Sequence, residues 1–337
     1  MAVTASTPKV GQFLGTILMR MNNHSTALGS MFLGLVTAVT ACSSNDRGNS
    51  GATARGGATL TGEAASTGGT SSTGGTSSTG GTSSTGGTSS THVAECKGPL
   101  EERDPNHNNL CVAKLVTVGE VGSTFGIDAT EVTRGQYEAW RTQVPAPPVQ
   151  TDTACSWNTS YQPNTGVDSE HYPVVGVDWC DAYAYCAGVG KRLCGKRTEQ
   201  GGGTNGYHDI ADATKSQWYA ACSSGGTHAE PVYPYGTTYN STACNGYDYG
   251  ATLGTHDTMA VGSFTGCQAS APYAGVYDLS GNVFEWEDSC DSVGTTAQCR
   301  LRGGNYLYYS DYLACGYDYA GSRNGANYTV GFRCCTL

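Results

Sequence analysis

Fourteen of the fifteen cysteines in this 337-residue chain lie between Cys96 and Cys335, and the fifteenth, Cys42, stands alone near the N-terminus. An even number within one region points to full pairing as half-cystines, about seven bridges. A reducing cytosol does not sustain so many. The rival use of clustered cysteine is a metal cluster, which wants CxxC pairs repeated at zinc spacing. The sequence has no such repeat. Cysteine placement therefore predicts a loop-rich domain, stapled by disulfides and working outside the cytoplasm.

The N-terminal third agrees with export. Residues 27–41 form an apolar run of signal-peptide length, too short to span a bilayer comfortably, with Arg20 before it. Small residues close the run at Val39-Thr40-Ala41, directly before Cys42. This resembles a bacterial lipobox, in which the cysteine is acylated and becomes the new N-terminus. We therefore read 1–41 as a lipoprotein-type signal peptide, Cys42 as the lipidation site, and the chain as anchored to a bacterial membrane, the outer membrane or cell surface by preference. Residues 42–95 are rich in Gly, Ser and Thr, and the hexad Ser66-Thr67-Gly68-Gly69-Thr70-Ser71 recurs four times through Ser89. Such a tract buries no apolar surface and reads as a flexible tether with a reach on the order of 40 Å.

Charge excludes one class of partner. The net charge is −10, and without the leader's Lys9 and Arg20 it is −12. No basic stripe is present, so nucleic acid is excluded as a partner. An acidic surface remains compatible with a hard cation.

From Cys96 onward, short elements alternate with Gly, Asn, Asp and Pro, giving one folded domain over 96–337. Three helices are predicted: Thr133–Thr142 capped by Thr133, Asp178–Ala187 capped by Asp178, and Thr214–Cys222 capped by Thr214. In the second, Trp179, Ala182, Tyr183 and Cys186 share a face.

Seven ordered blocks then carry a resemblance. They are DATEVTRGQYEAW (128–140), YPVVGVDWCDAYAYCAGVGKRL (172–193), SQWYAACSSGG (216–226), YPYG (233–236), GVYDLSGNVFEW (275–286), LRGGNY (301–306) and GFRCC (331–335). Together they resemble the formylglycine-generating enzyme family, the sulfatase-modifying-factor domain. The resemblance implies an irregular, loop-rich α+β domain of C-type-lectin-like fold.

The family's chemistry uses two cysteines five positions apart, whose thiolates bind copper(I). The resemblance places those positions on Tyr308 and Leu313, and neither side chain offers the soft sulfur that copper(I) prefers. No catalytic residue is therefore assigned and copper is not expected. His107, His171, His208, His228 and His256 are scattered, so no iron site is assigned either. The resemblance also implies a calcium loop at Asp278–Trp286, with side-chain ligands Asp278 and Glu285 and carbonyl ligands Gly281 and Val283. A surface turn in which Glu285 pairs with an arginine is the other reading. For the disulfides, the resemblance implies Cys186–Cys334 and Cys222–Cys315. Short loops make Cys96–Cys111, Cys180–Cys194, Cys244–Cys267 and Cys290–Cys299 reasonable pairs, leaving Cys155 with Cys335.

Tyrosine crowds the stretch 305–328, and Tyr306, Tyr308, Tyr309 and Tyr312 are the candidate binding residues, since Tyr gives large contact area at low entropic cost. Two functions follow. One is a surface-anchored binding or scaffold module for a peptide, protein or glycan, meeting the membrane only through its lipid. The other is a metal-dependent oxidase of the sulfatase-modifying type with a rearranged site.

Overall fold

The computed structural model describes residues 96–145, 150–164, 169–197 and 206–337. The expected signal peptide, Cys42 and the linker through residue 95 lie outside the described residues. Among those described, no helix is long and apolar enough to cross a membrane.

The elements run β1 (Glu101–Asp104), β2 (Leu110–Ala113), β3 (Leu115–Val118), β4 (Phe125–Asp128), α1 (Arg134–Arg141), α2 (Trp179–Gly188), β5 (Arg192–Leu193), α3 (Gln217–Cys222), α4 (Tyr247–Leu253), β6 (Phe284–Cys290), β7 (Gln298–Arg302), β8 (Tyr319–Ser322), β9 (Val330–Phe332) and β10 (Cys334–Thr336). β1 and β2 form a hairpin, and the other strands make two four-stranded sheets, ordered β3-β4-β10-β5 and β8-β7-β6-β9. The fold is mixed α+β, rich in short strands and loops, as the sequence predicts. β9 and β10 are nearly continuous in sequence yet belong to different sheets, and Arg333 is the residue between them.

Strand alternation decides what the second sheet presents. Phe284 and Trp286 of β6 alternate with Glu285 and Glu287, and Leu301 of β7 alternates with Arg300 and Arg302. Register places Trp286 opposite both Leu301 and Phe332, and Glu285 opposite Arg302. One face is therefore apolar and the other charged. The apolar face packs on α1 and α2 through Tyr137, Trp140 and Tyr185, with the Tyr185 and Phe332 rings 5.4 Å apart. A second core gathers Trp218 and Ala221 of α3 with Ile127, Tyr273 and Leu279.

The helix caps follow from side-chain chemistry. Thr133 and Asp178 cap α1 and α2, and each closes a reciprocal capping box, with Gln136 and Asp181 respectively. At α3 the expected cap is corrected. Thr214 is held outside the helix by Asp212, which accepts from its N–H and its hydroxyl, and Ser216 caps instead by accepting from the Tyr219 N–H. Helix α4 is not predicted by periodicity. Its N-cap is Gly246, without a side-chain bond, and it ends on Gly254 in the left-handed region.

Seven disulfides join the fourteen described cysteines: Cys96–Cys111, Cys155–Cys180, Cys186–Cys334, Cys194–Cys335, Cys222–Cys315, Cys244–Cys267 and Cys290–Cys299. Two expected pairs are corrected. Cys180 is not joined to Cys194, nor Cys155 to Cys335. Cys180 is the second residue of α2 and Cys194 lies beyond the other end of the helix, which rises about 12 Å from Cys180 to Gly188. β5 is then hydrogen-bonded to β10, which brings Cys194 beside Cys335. So many disulfides fit an oxidising compartment.

Candidate functional site

Two regions hold the residues singled out in the sequence: the loop from Asp278 to Trp286, and an aromatic cleft over the apolar face of the second sheet.

The loop is tied down at almost every residue. Gly281 has φ of 75°, and a Cβ there would sit 2.2 Å from the Asn245 carbonyl oxygen, so only glycine allows this approach. Asp278 accepts from the Gly262 N–H at 2.5 Å. Asn282 donates from Nδ2 to Glu131 at 2.9 Å and accepts at Oδ1 from the Met259 N–H. The Ser280 hydroxyl donates to the Leu313 carbonyl at 2.8 Å. Three buried carboxyls, Glu131, Asp278 and Glu285, share one guanidinium, Arg333. Burial, then the charge of Asp278, pushes Glu131 well above the usual carboxylate range, and burial raises Asp278 to about 6.

This arrangement does not fit the calcium role that the resemblance gives to Glu285. Its Oε2 accepts from Arg333 Nε at 2.7 Å and from Trp218 Nε1 at 2.9 Å, and its Oε1 accepts from Arg333 Nη2 at 2.7 Å. A cation on Glu285 would have to displace a buried guanidinium. Asp278 is turned toward the Gly262 N–H. Among the described residues no group of three or more His, Cys, Asp or Glu is placed to hold a metal ion.

The cleft is about 360 Å³. Phe284, Leu301 and Val330 form its floor, and Tyr308, Tyr319 and Tyr328 its walls. The rings are ordered against one another: Phe284 stacks on Tyr319 at 4.8 Å, and Tyr308 meets Phe284 edge-on at 5.2 Å. Burial and a hydrogen bond to Tyr319 push the Tyr308 phenol up to about 12, so it stays protonated.

The four candidate binding tyrosines separate. Tyr308 lines the cleft. Tyr309 and Tyr312 lie beside it, 5.6 Å apart and exposed. Tyr306 is set apart from them: it is buried, with its N–H bonded to the Asn282 carbonyl. Sequence reasoning did not single out Tyr319 and Tyr328, although both lie in the same tyrosine-dense stretch. Strand alternation in β8 and its pairing with β7 is the signal that places Tyr319 over Leu301.

The two family positions are occupied by Tyr308 and Leu313. Leu313 is buried in a small apolar cluster with Tyr233 and Ala314, and Cys315 is bonded to Cys222. No described cysteine is a thiol.

Residues 81–336 match the family described as "Sulfatase-modifying factor enzyme 1-like domain". Among curated proteins, the serine/threonine-protein kinase pkn1 of Chlamydia caviae is 30% identical over 179 residues, which is 48% of this chain and 24% of the kinase. The inactive C-alpha-formylglycine-generating enzyme 2 of Bos taurus is 30% identical over 190 residues, 53% of this chain and 55% of that protein. This chain thus spans about a quarter of the first relative and about half of the second. Among solved structures, that of PvdO from Pseudomonas aeruginosa aligns with a TM-score of 0.45 at 18% identity, covering 72% of this chain and 99% of the other.

Proposed function

The chain belongs to the sulfatase-modifying factor enzyme 1-like domain family, and from that premise we propose that it is a non-catalytic binding module, exported and lipid-anchored at Cys42. The observation that carries this reading is local. Where the family resemblance requires two thiols, Tyr308 and Leu313 stand, and the nearby Cys315 is locked to Cys222. Without a thiolate there is neither a soft ligand for copper(I) nor a sulfur to engage a substrate cysteine. The tyrosine-walled cleft offers contact area without a nucleophile. Similarity to an enzyme named inactive and to part of a kinase supports a domain kept for something other than formylglycine formation.

The test is turnover. The purified chain, incubated with copper(I), oxygen and a sulfatase-type cysteine peptide, leaves the peptide mass unchanged. Conversion of the cysteine to formylglycine would establish the oxidase reading instead. Anchoring is tested by fatty-acid labelling in a bacterial host, where the wild-type chain is labelled and Cys42→Ala is not.

A further inference from the structure

We propose that the cleft takes a neutral saccharide, one or two pyranose rings in size. This inference rests on the reading of the cleft as a ligand site and adds the class of ligand.

Charge is the first argument. The chain carries a net charge of −10, yet no Asp, Glu, Lys, Arg or His is among the described residues lining the cleft. A charged ligand would lose hydration there and meet no counter-charge. A neutral ligand loses less, provided its hydroxyls find partners.

The second argument is the form of the walls. Tyr328 is 57% exposed, so its ring presents surface at the mouth, while Tyr319 is stacked between Phe284 and Tyr317 and offers its edge. Aromatic faces are electron-rich. The axial C–H groups on one face of a pyranose are weakly positive and nearly coplanar, and they match such a ring better than a flexible alkyl chain does.

The third argument is the polar groups, which are amides and hydroxyls. Asn327 Oδ1 accepts from the Thr329 N–H and hydroxyl, both at 3.1 Å, and Asn305 Oδ1 accepts from the Leu307 N–H at 2.8 Å. Those bonds fix which way each amide points before any ligand arrives. Fixed neutral donors suit sugar hydroxyls and avoid an ordering cost on binding.

The lining crosses all four strands of the sheet, from Tyr319–Ser322 of β8 through Leu301 and Phe284 to Val330 of β9, so the cleft lies over a face. A peptide strand would instead add along an open ladder edge. At about 360 Å³ the space is at the small end of ligand clefts, about 300–1,000 Å³, which sets the saccharide size.

The experiment uses the full chain and saturation-transfer NMR. The probes are methyl glycosides of glucose, galactose, mannose and N-acetylglucosamine with their disaccharides. Glucuronate and glucosamine serve as charged comparators, and an uncharged peptide as the alternative ligand. At least one neutral saccharide binds, Tyr328→Ala and Tyr319→Ala each weaken it about tenfold or more, and Tyr247→Ala, outside the cleft, leaves it unchanged. Unchanged melting of Tyr328→Ala separates lost binding from lost fold. The inference is overturned if no saccharide binds, if both cleft variants bind normally, or if charged sugars bind as well as neutral ones. If only the peptide binds and Tyr328→Ala abolishes it, the binding-module reading stands while the saccharide falls. Formylglycine formation would remove the binding-module reading itself.

Discussion

Arg333 grips the carboxylate of Glu285 with two nitrogens, Nε and Nη2, each at 2.7 Å, and both side chains are buried. The same guanidinium donates to the carbonyls of Asp128 and Tyr277. Because Arg333 lies between β9 and β10, this one side chain ties both sheets to the loop beneath the cleft. Removing one partner of such a pair leaves the other charge buried and uncompensated, which costs about 3–5 kcal/mol. Arg333→Leu and Glu285→Gln are therefore each expected to destabilise by about that amount in denaturant unfolding. Arg333→Lys also destabilises, because an ammonium cannot reproduce the fork. A loss below about 1 kcal/mol would mean that the pair does not hold the sheets.

Calcium follows from the same contact. With the acceptors of Glu285 engaged by Arg333 and Trp218, the loop at 278–286 keeps its shape through protein hydrogen bonds. Neither excess calcium nor EDTA is expected to move the thermal midpoint. An upward shift with calcium, absent in Asp278→Asn, would support the expected site.

The extent to which sequence reveals these features depends on whether a signal is local. The caps Thr133 and Asp178 are local, since each needs only its own side chain and the residue three places on. The cap of α3 was misplaced because Thr214 and Ser216 are chemically similar, and the choice depends on the turn that Asp212 makes. Helix α4 has no capping side chain, and its end is marked only by Gly254. The loop at 278–286 was legible as a motif, but not what its Glu285 does. The partner, Arg333, is 48 residues away, and composition says nothing about which arginine a carboxylate will meet. Tyr306 differs from Tyr308 in the same way: one residue type, two environments, separated by the turn after Gly304.

Acidity tests the start of α2. Asp178 and Asp181 bond reciprocally to each other's backbone N–H groups, and Asn158 donates to Asp181. Burial raises Asp178 from 3.8 to about 6, and burial followed by the Asp178 charge raises Asp181 further. The folded chain thus holds protons that the unfolded chain releases. The resulting stabilisation is complete below pH 4 or so and is lost as pH rises through about 6, about 3 kcal/mol for Asp178 alone with Asp181 adding to it. Asp178→Asn keeps a good N-cap and removes one titrating group. Chemical denaturation across pH 4–8 should therefore show a flatter profile for the variant. Equal slopes would mean that the two carboxyls are not coupled to folding.

Disulfide mapping tests the two corrected pairs, since peptides joined through Cys155–Cys180 and Cys194–Cys335 differ in mass from those joined through Cys180–Cys194. The weight of Cys194–Cys335 depends on its neighbour. Alone it would close a loop of 141 residues, but Cys186–Cys334 already ties the chain eight residues and one residue away, so with that bridge intact it adds a loop of about 9 residues, like Cys290–Cys299. Chain-entropy arguments then give about 2–3 kcal/mol for either bridge. The Cys194→Ser/Cys335→Ser and Cys290→Ser/Cys299→Ser double variants are therefore expected to lower the unfolding midpoint by similar amounts. A clearly larger loss from the first would mean that the bridge holds β10 against β5 beyond its chain-entropy weight.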